Sequence, residues 1–150
     1  MRAADVLPAL APLVILLVIG PGLIMAFSRL SGWKTLSDRY PCRTELPERR
    51  RRFGYGVFRG WIGYNGGLVV SADARGFYLA AMSVLLSFCH APIFIPWSEV
   101  TEIRRRRIWL RTCYQISARR APEVDFALRR GTFAFVAPFA ERAGVRIRES

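Results

Sequence analysis

The sequence predicts an amino-terminal transmembrane helix followed by a mainly-β domain with a short carboxy-terminal helix, and three observations carry that reading. The run from Val6 to Ser28, VLPALAPLVILLVIGPGLIMAFS, contains no charged residue. Further along, apolar and polar residues alternate through several segments with the period of two that half-buried strands require. The end of the chain changes character, with Pro138 suited to a first helical turn and Gly144 to a stop.

A helix rises about 1.5 Å per residue, so Val6 to Ser28 is long enough for a hydrocarbon core roughly 30 Å thick. Pro8, Pro12 and Gly20-Pro21-Gly22 would weaken a soluble helix but are tolerated in membranes. The rival reading is a cleaved signal peptide with Arg2 as its basic flank. Against it, the apolar run exceeds a signal h-region, Asp5 offsets Arg2, and no clean small-x-small site follows. Arg29, Lys34, Arg39, Arg43 and Arg49 to Arg52 follow the run, against Arg2 before it. The positive-inside rule then puts the amino terminus outside and the carboxy-terminal domain in the cytoplasm, a single pass through the inner (plasma) membrane. The expected organisation is a tail and transmembrane helix over 1–28, a juxtamembrane connector over 29–47 and one β domain over 48–150.

The formal charge is +12, from 22 Arg and a single Lys against 11 carboxylates. Such a balance favours polyanionic partners: an acidic lipid leaflet, an acidic protein patch or nucleic acid. Nucleic acid is disfavoured by the membrane anchor, although arginine interleaved with aromatics suits it. Cys42, Cys89 and Cys113 are odd in number, widely spaced and without a CxxC pair, so they read as reduced thiols, with no disulfide framework and no metal site.

In the connector, Trp33 beside Lys34 fits either an interfacial anchor or a ring packed on the domain, and Tyr40-Pro41 disfavours continued helix. Phe53 to Leu68 alternates glycine with aromatics. It lacks a dinucleotide fingerprint, because Arg59 stands where glycine is needed, and reads as a strand ended by a turn at Tyr64-Asn65-Gly66-Gly67. Leu68 to Asp73 is a second strand, and Asp73-Ala74-Arg75-Gly76 a type I turn. Phe77 to Ser98 again lacks Asp, Glu, Lys and Arg. As a second span it would leave strongly basic segments on both sides of the membrane, so it is assigned as two buried strands with a loop near Phe88 to Pro92, the second span being the alternative. Ser98 to Ile103 leads into Arg104 to Arg107, Ile108 to Ile116 keeps a strand period, Val124 to Leu128 repeats it, and Phe133 with Phe135 suggests one more strand.

The order Ser31-Gly32-Trp33, Tyr40-Pro41, Tyr64-Asn65, Gly76-Phe77-Tyr78-Leu79 and the segment from His90 to Val100, HAPIFIPWSEV, resembles a family of small uncharacterised bacterial single-pass membrane proteins. Their soluble part is similar to GRAM and PH-like domains. The resemblance implies a β-sandwich or barrel closed by a carboxy-terminal helix, and it implies no activity.

His90 is the only histidine, so every histidine-dependent triad or proton shuttle must use it. On a strand it would face away from adjacent Cys89, which removes a simple dyad. The carboxylates show no general acid-base pair. No catalytic residue and no cofactor is expected. The candidate site is instead arginine: Arg49, Arg50, Arg51, Arg52 and Arg104, Arg105, Arg106, Arg107, which read either as a solvated sheet edge or as contacts to anionic lipid. The expected function is a membrane-tethered, non-enzymatic module binding acidic headgroups or a protein partner. The alternatives are an enzyme acting on a lipid-linked substrate near His90 and, more weakly, a nucleic-acid binder.

Overall fold

The computed structural model describes residues 3–149, and side chains from Leu10 onward; Arg2, invoked above for the flanking charge, and Ser150 lie outside it. Helix α1 (Ala3–Ser31) carries its apolar side chains outward, with Leu13, Leu16, Leu17, Val18 and Leu23 all exposed. Among the described residues it is the one helix long and apolar enough to cross a membrane, over Leu10–Ser31. A helix that is apolar on all sides and unburied has found no protein partner for that surface, which is what lipid contact requires.

The chain then turns at Gly32, whose φ of 83° suits glycine and whose missing Cβ leaves room for the Val124 side chain. A second, short helix follows, α2 (Trp33–Arg39). Trp33, Leu36 and Tyr40 are fully buried and belong to the main core. Of the two readings for Trp33, packing on the domain is the one realised. The segment expected to be a connector is thus largely a structural part of the domain.

Eight strands follow: β1 (Arg50–Phe58), β2 (Ile62–Ala72), β3 (Gly76–Ala81), β4 (Ile93–Pro96), β5 (Val100–Ile108), β6 (Arg111–Ala118), β7 (Phe126–Arg129) and β8 (Ile147–Arg148). They form one sheet in the order β4-β3-β2-β1-β7-β6-β5-β8, antiparallel except for the β5–β8 pair. The sheet curls around a core drawn from both its halves: Phe58, Leu68, Phe77, Ile95, Ile103, Ile116 and Phe126 lie in one cluster. Helix α4 (Arg130–Arg142) buries Phe133, Val136 and Ala140 on the concave side, and Phe133 stacks on Tyr114 at 4.2 Å. The expected mainly-β domain with a carboxy-terminal helix is the observed one.

Several local expectations are corrected. The first hairpin turns at Arg59-Gly60-Trp61, where Arg59 and Gly60 have positive φ. Asn65-Gly66-Gly67 is a register shift inside β2. The glycines there allow the bulge, and the pairing continues past it. Arg104 to Arg107 lie within β5, and Trp109 and Leu110, both at positive φ, turn the chain into β6. The period of two continued through this tight turn and so disguised it. Phe133 and Phe135 are helical: the helix starts at Arg130, and Pro138 falls inside it and not in its first turn. Spacing of three and four from Phe133 to Val136 and Ala140 decides this over the two-residue spacing of the phenylalanines. The uncharged stretch from Phe77 becomes β3, a one-turn helix α3 (Val84–Ser87) and β4, with Phe77, Leu79, Ile93 and Ile95 at zero exposure, so its two strands are sheet core and it forms no second span.

Candidate functional site

Two places gather chemically capable side chains: the foot of α1, which holds His90, and the edge formed by β5 and β8, which holds arginine.

At the foot, Ser28 Oγ donates to the Cys89 carbonyl at 2.6 Å. Ser31 Oγ lies 3.0 Å from Tyr64 Oη, Tyr64 Oη 2.8 Å from His90 Nε2, and His90 Nδ1 2.9 Å from the Leu86 carbonyl. The proton positions follow from what each partner accepts. A carbonyl only accepts, so Nδ1 carries a proton and donates to Leu86; the neutral ring then accepts at Nε2 and Tyr64 donates to it, while the single Ser31 hydroxyl proton is shared between Tyr64 Oη and the Ser28 carbonyl, 3.1 Å away. Burial holds His90 below its usual range and pushes Tyr64 up to about 12, so both are neutral near pH 7. Phe27, Trp33 and Phe58 enclose the pair, with ring centroids 5.0–6.1 Å apart, and the Trp33 indole donates to the Ala91 carbonyl at 2.9 Å. Every polar atom in this chain has a partner, and the imidazole uses both nitrogens inside the fold. The arrangement joins α1 to β2 and to the α3 loop; it presents no open face to a substrate.

The two arginine blocks are placed apart. Arg50, Arg51 and Arg52 begin β1, eight residues from Phe58, which packs on Trp33 at 5.5 Å. That is roughly 26 Å along the strand from the helix foot. Arg49 lies over the Phe135 ring on α4, and Arg51 beside Gly131. Between β1 and β5 stand β7 and β6, a separation of roughly 14 Å. The expectation that folding brings both blocks together at the membrane end is therefore corrected: they do not form one patch, and Arg49 to Arg52 pack near α4, away from the foot of α1.

The second block has more structure. Arg104, Arg105, Arg106 and Arg107 line an open trough of about 550 Å³ together with Arg148, which the parallel β5–β8 pairing sets opposite Arg104. Glu102 receives both Arg104 at 3.2 Å and Arg148 at 3.0 Å, and Glu149 pairs with Arg105 at 2.8 Å. Arg106 donates to Gln115 at 2.7 Å, and Gln115 in turn to Asp125. Among the described residues, Glu102 and Glu149 are carboxylates paired directly with these guanidinium groups. Exposed ion pairs of this kind are weak, so they yield readily to a competing anion. Arg148 was not singled out from the sequence; its alternation with Arg146 near the carboxy terminus was the available sign, and the two-residue strand that positions it has no sequence signature of its own.

Among the described residues no group of three or more His, Cys, Asp or Glu is placed to hold a metal ion. The three thiols are unpaired with one another, and burial raises Cys113 above the usual thiol range, which keeps it protonated and unreactive. No protein-family model matches the chain, and no curated protein matches it.

Proposed function

We propose that this chain is a membrane-tethered, non-enzymatic binding module, with a PH-like or GRAM-like domain on the cytoplasmic side, whose Arg104–Arg107 and Arg148 trough receives the phosphate of an anionic lipid headgroup. The observation that supports this most is the gathering of five arginines around one open concavity. Guanidinium groups fork onto phosphate oxygens bidentately, which makes arginine the apt choice over lysine. The apolar helix supplies the location, since a tethered domain meets lipid at high effective concentration. His90 favours no enzymatic reading, because its ring is enclosed and committed on both sides.

The test is to titrate the full chain in neutral detergent with short-chain phosphatidylglycerol and, separately, phosphatidylcholine. Binding should be selective for the acidic lipid and weaken as salt rises. It should drop when Arg104, Arg106, Arg107 and Arg148 are all replaced by Ser. Equal affinity for both lipids, or unchanged affinity in that variant, would return these arginines to the role of a solvated, aggregation-resistant edge. Orientation is tested separately: a reporter fused after Ser150 should be active in the cytoplasm, and a periplasmic signal would reverse the topology.

A further inference from the structure

The loop between β3 and β4 is apolar in an unusual place. Val84, Leu85 and Phe88 are 78%, 68% and 86% exposed, although their neighbours in the sheet are wholly buried. The nearest charges in sequence are Arg75 and Glu99, so the loop carries none. Its position is fixed by α1. Leu86 shares an apolar groove with Leu23, Ile24, Ala26, Phe27 and Leu30 of the membrane helix, and Ser28 Oγ is bonded to the Cys89 carbonyl at the loop's far end. Leu23 precedes the end of the candidate span at Ser31 by eight residues, which is roughly 12 Å along the helix axis. The loop therefore lies beside α1 at a level inside the leaflet, and its exposed side chains continue the lipid-facing surface of that helix.

Part of the loop's backbone is paired within the fold, which such a place favours because unpaired polar groups are costly there. Met82 N–H donates to the Gly67 carbonyl, Ser87 N–H to Ser83, and Cys89 N–H to Leu86. The Leu86 carbonyl also receives His90 Nδ1, and the Ser87 hydroxyl is turned back onto the Ser83 carbonyl. Three large apolar side chains pointing outward from an uncharged loop, several of whose polar groups are turned inward, is the pattern of a membrane-dipping segment.

We infer that Val84, Leu85 and Phe88 insert into the same leaflet as the foot of α1, giving the domain a second contact with the bilayer. One helix alone would leave the domain free to swing about its axis. A second contact to one side, tied to the helix through Ser31, Tyr64 and His90, holds the domain in one pose against the membrane. The inference rests on α1 being a membrane helix and is independent of the arginine trough.

The test places a photoreactive benzoylphenylalanine at Phe88, and separately at Leu85, in the full chain reconstituted in phospholipid bilayers. The same group at Leu16 reports on α1, and at Phe53, exposed at the β1 end remote from the helix foot, on the aqueous side. All four side chains are exposed, so the fold is not perturbed. After irradiation, lipid adducts at positions 88 and 85 should approach those at 16 and exceed those at 53 several-fold. Adducts at 16 with none at 88 or 85 would overturn the inference while leaving the membrane helix intact. Covalent dimers formed from position 88 would overturn it in favour of a second copy covering the loop.

Discussion

The foot of α1 and the β5–β8 edge both looked like chemistry in the sequence, and they are built on opposite plans. At the foot, serine, tyrosine and histidine are buried, neutral and satisfied in a fixed proton order, and aromatic rings exclude water. At the edge, arginines stand in solvent, their ion pairs are exposed, and they surround open space. A group that is buried with all its partners inside the fold contributes stability, whereas a surplus of like charge at a surface contributes little and stays available to an outside ligand. The lone histidine therefore belongs to the architecture, and the arginine edge is where we propose that a partner binds.

If that contrast is right, damage at the core and foot should unfold the protein, and damage at the edge should not. The largest effect is expected for Ile95→Asp, which buries an unpaired carboxylate on β4. Lost apolar burial adds to the cost of the charge, so it should exceed about 5 kcal/mol, a large share of a domain stability of roughly 5–15 kcal/mol, read as the largest fall in the unfolding midpoint of the full chain in detergent. Trp33→Ala comes next, at about 3–5 kcal/mol from cavity formation. Its loss would also free α2 from Phe58 and the Ala91 carbonyl. A stability change near zero for Trp33→Ala would mean that α2 is a loose connector after all.

Tyr64→Phe is a finer probe, since it keeps the ring and removes the hydroxyl that links Ser31 to His90. Two buried groups lose a partner, and denaturant titration should show a loss of about 1–3 kcal/mol. The same network predicts a pH dependence. His90 is held below its ordinary value of 6.5 by burial, so the unfolded chain takes up its proton first as pH falls. The contribution is intact above the unfolded value and is lost progressively between it and the lower folded value. Wild-type stability should thus fall from pH 7 to pH 5 more steeply than that of His90→Gln, measured by thermal unfolding at each pH. Equal slopes would indicate that the ring is not the titrating group.

Much of the fold was legible because it rests on local pattern. A charge-free run reads as α1 whatever surrounds it, and the alternation Ile93, Ile95, Trp97 marked β4, although Trp97 itself falls in the 3-10 turn that follows the strand. The Arg59-Gly60-Trp61 and Trp109-Leu110 turns escaped because non-glycine residues take up positive φ there, against their own preference. Phe133 and Phe135 misled because two spacings competed over a few residues, and only packing against Tyr114 resolves them. The candidate site was legible in half: Arg104 to Arg107 announce themselves as a block, but Arg148 joins them across a parallel pairing that closes a long loop. The Ser31-Tyr64-His90 chain was invisible for the same reason, being assembled from three distant segments.

The smallest stability effect and the largest functional one should coincide at the edge. Replacing Arg104, Arg106, Arg107 and Arg148 by Ser should leave stability within about 0.5 kcal/mol per site. The most direct test of the account is a side-by-side titration of wild type, this Ser variant and Tyr64→Phe with short-chain phosphatidylglycerol, at a temperature where all three are folded. The account predicts that Tyr64→Phe binds like wild type and that the Ser variant loses the acidic-lipid affinity. Lost affinity in Tyr64→Phe with retained affinity in the Ser variant would contradict it and move the binding site to the foot of the membrane helix.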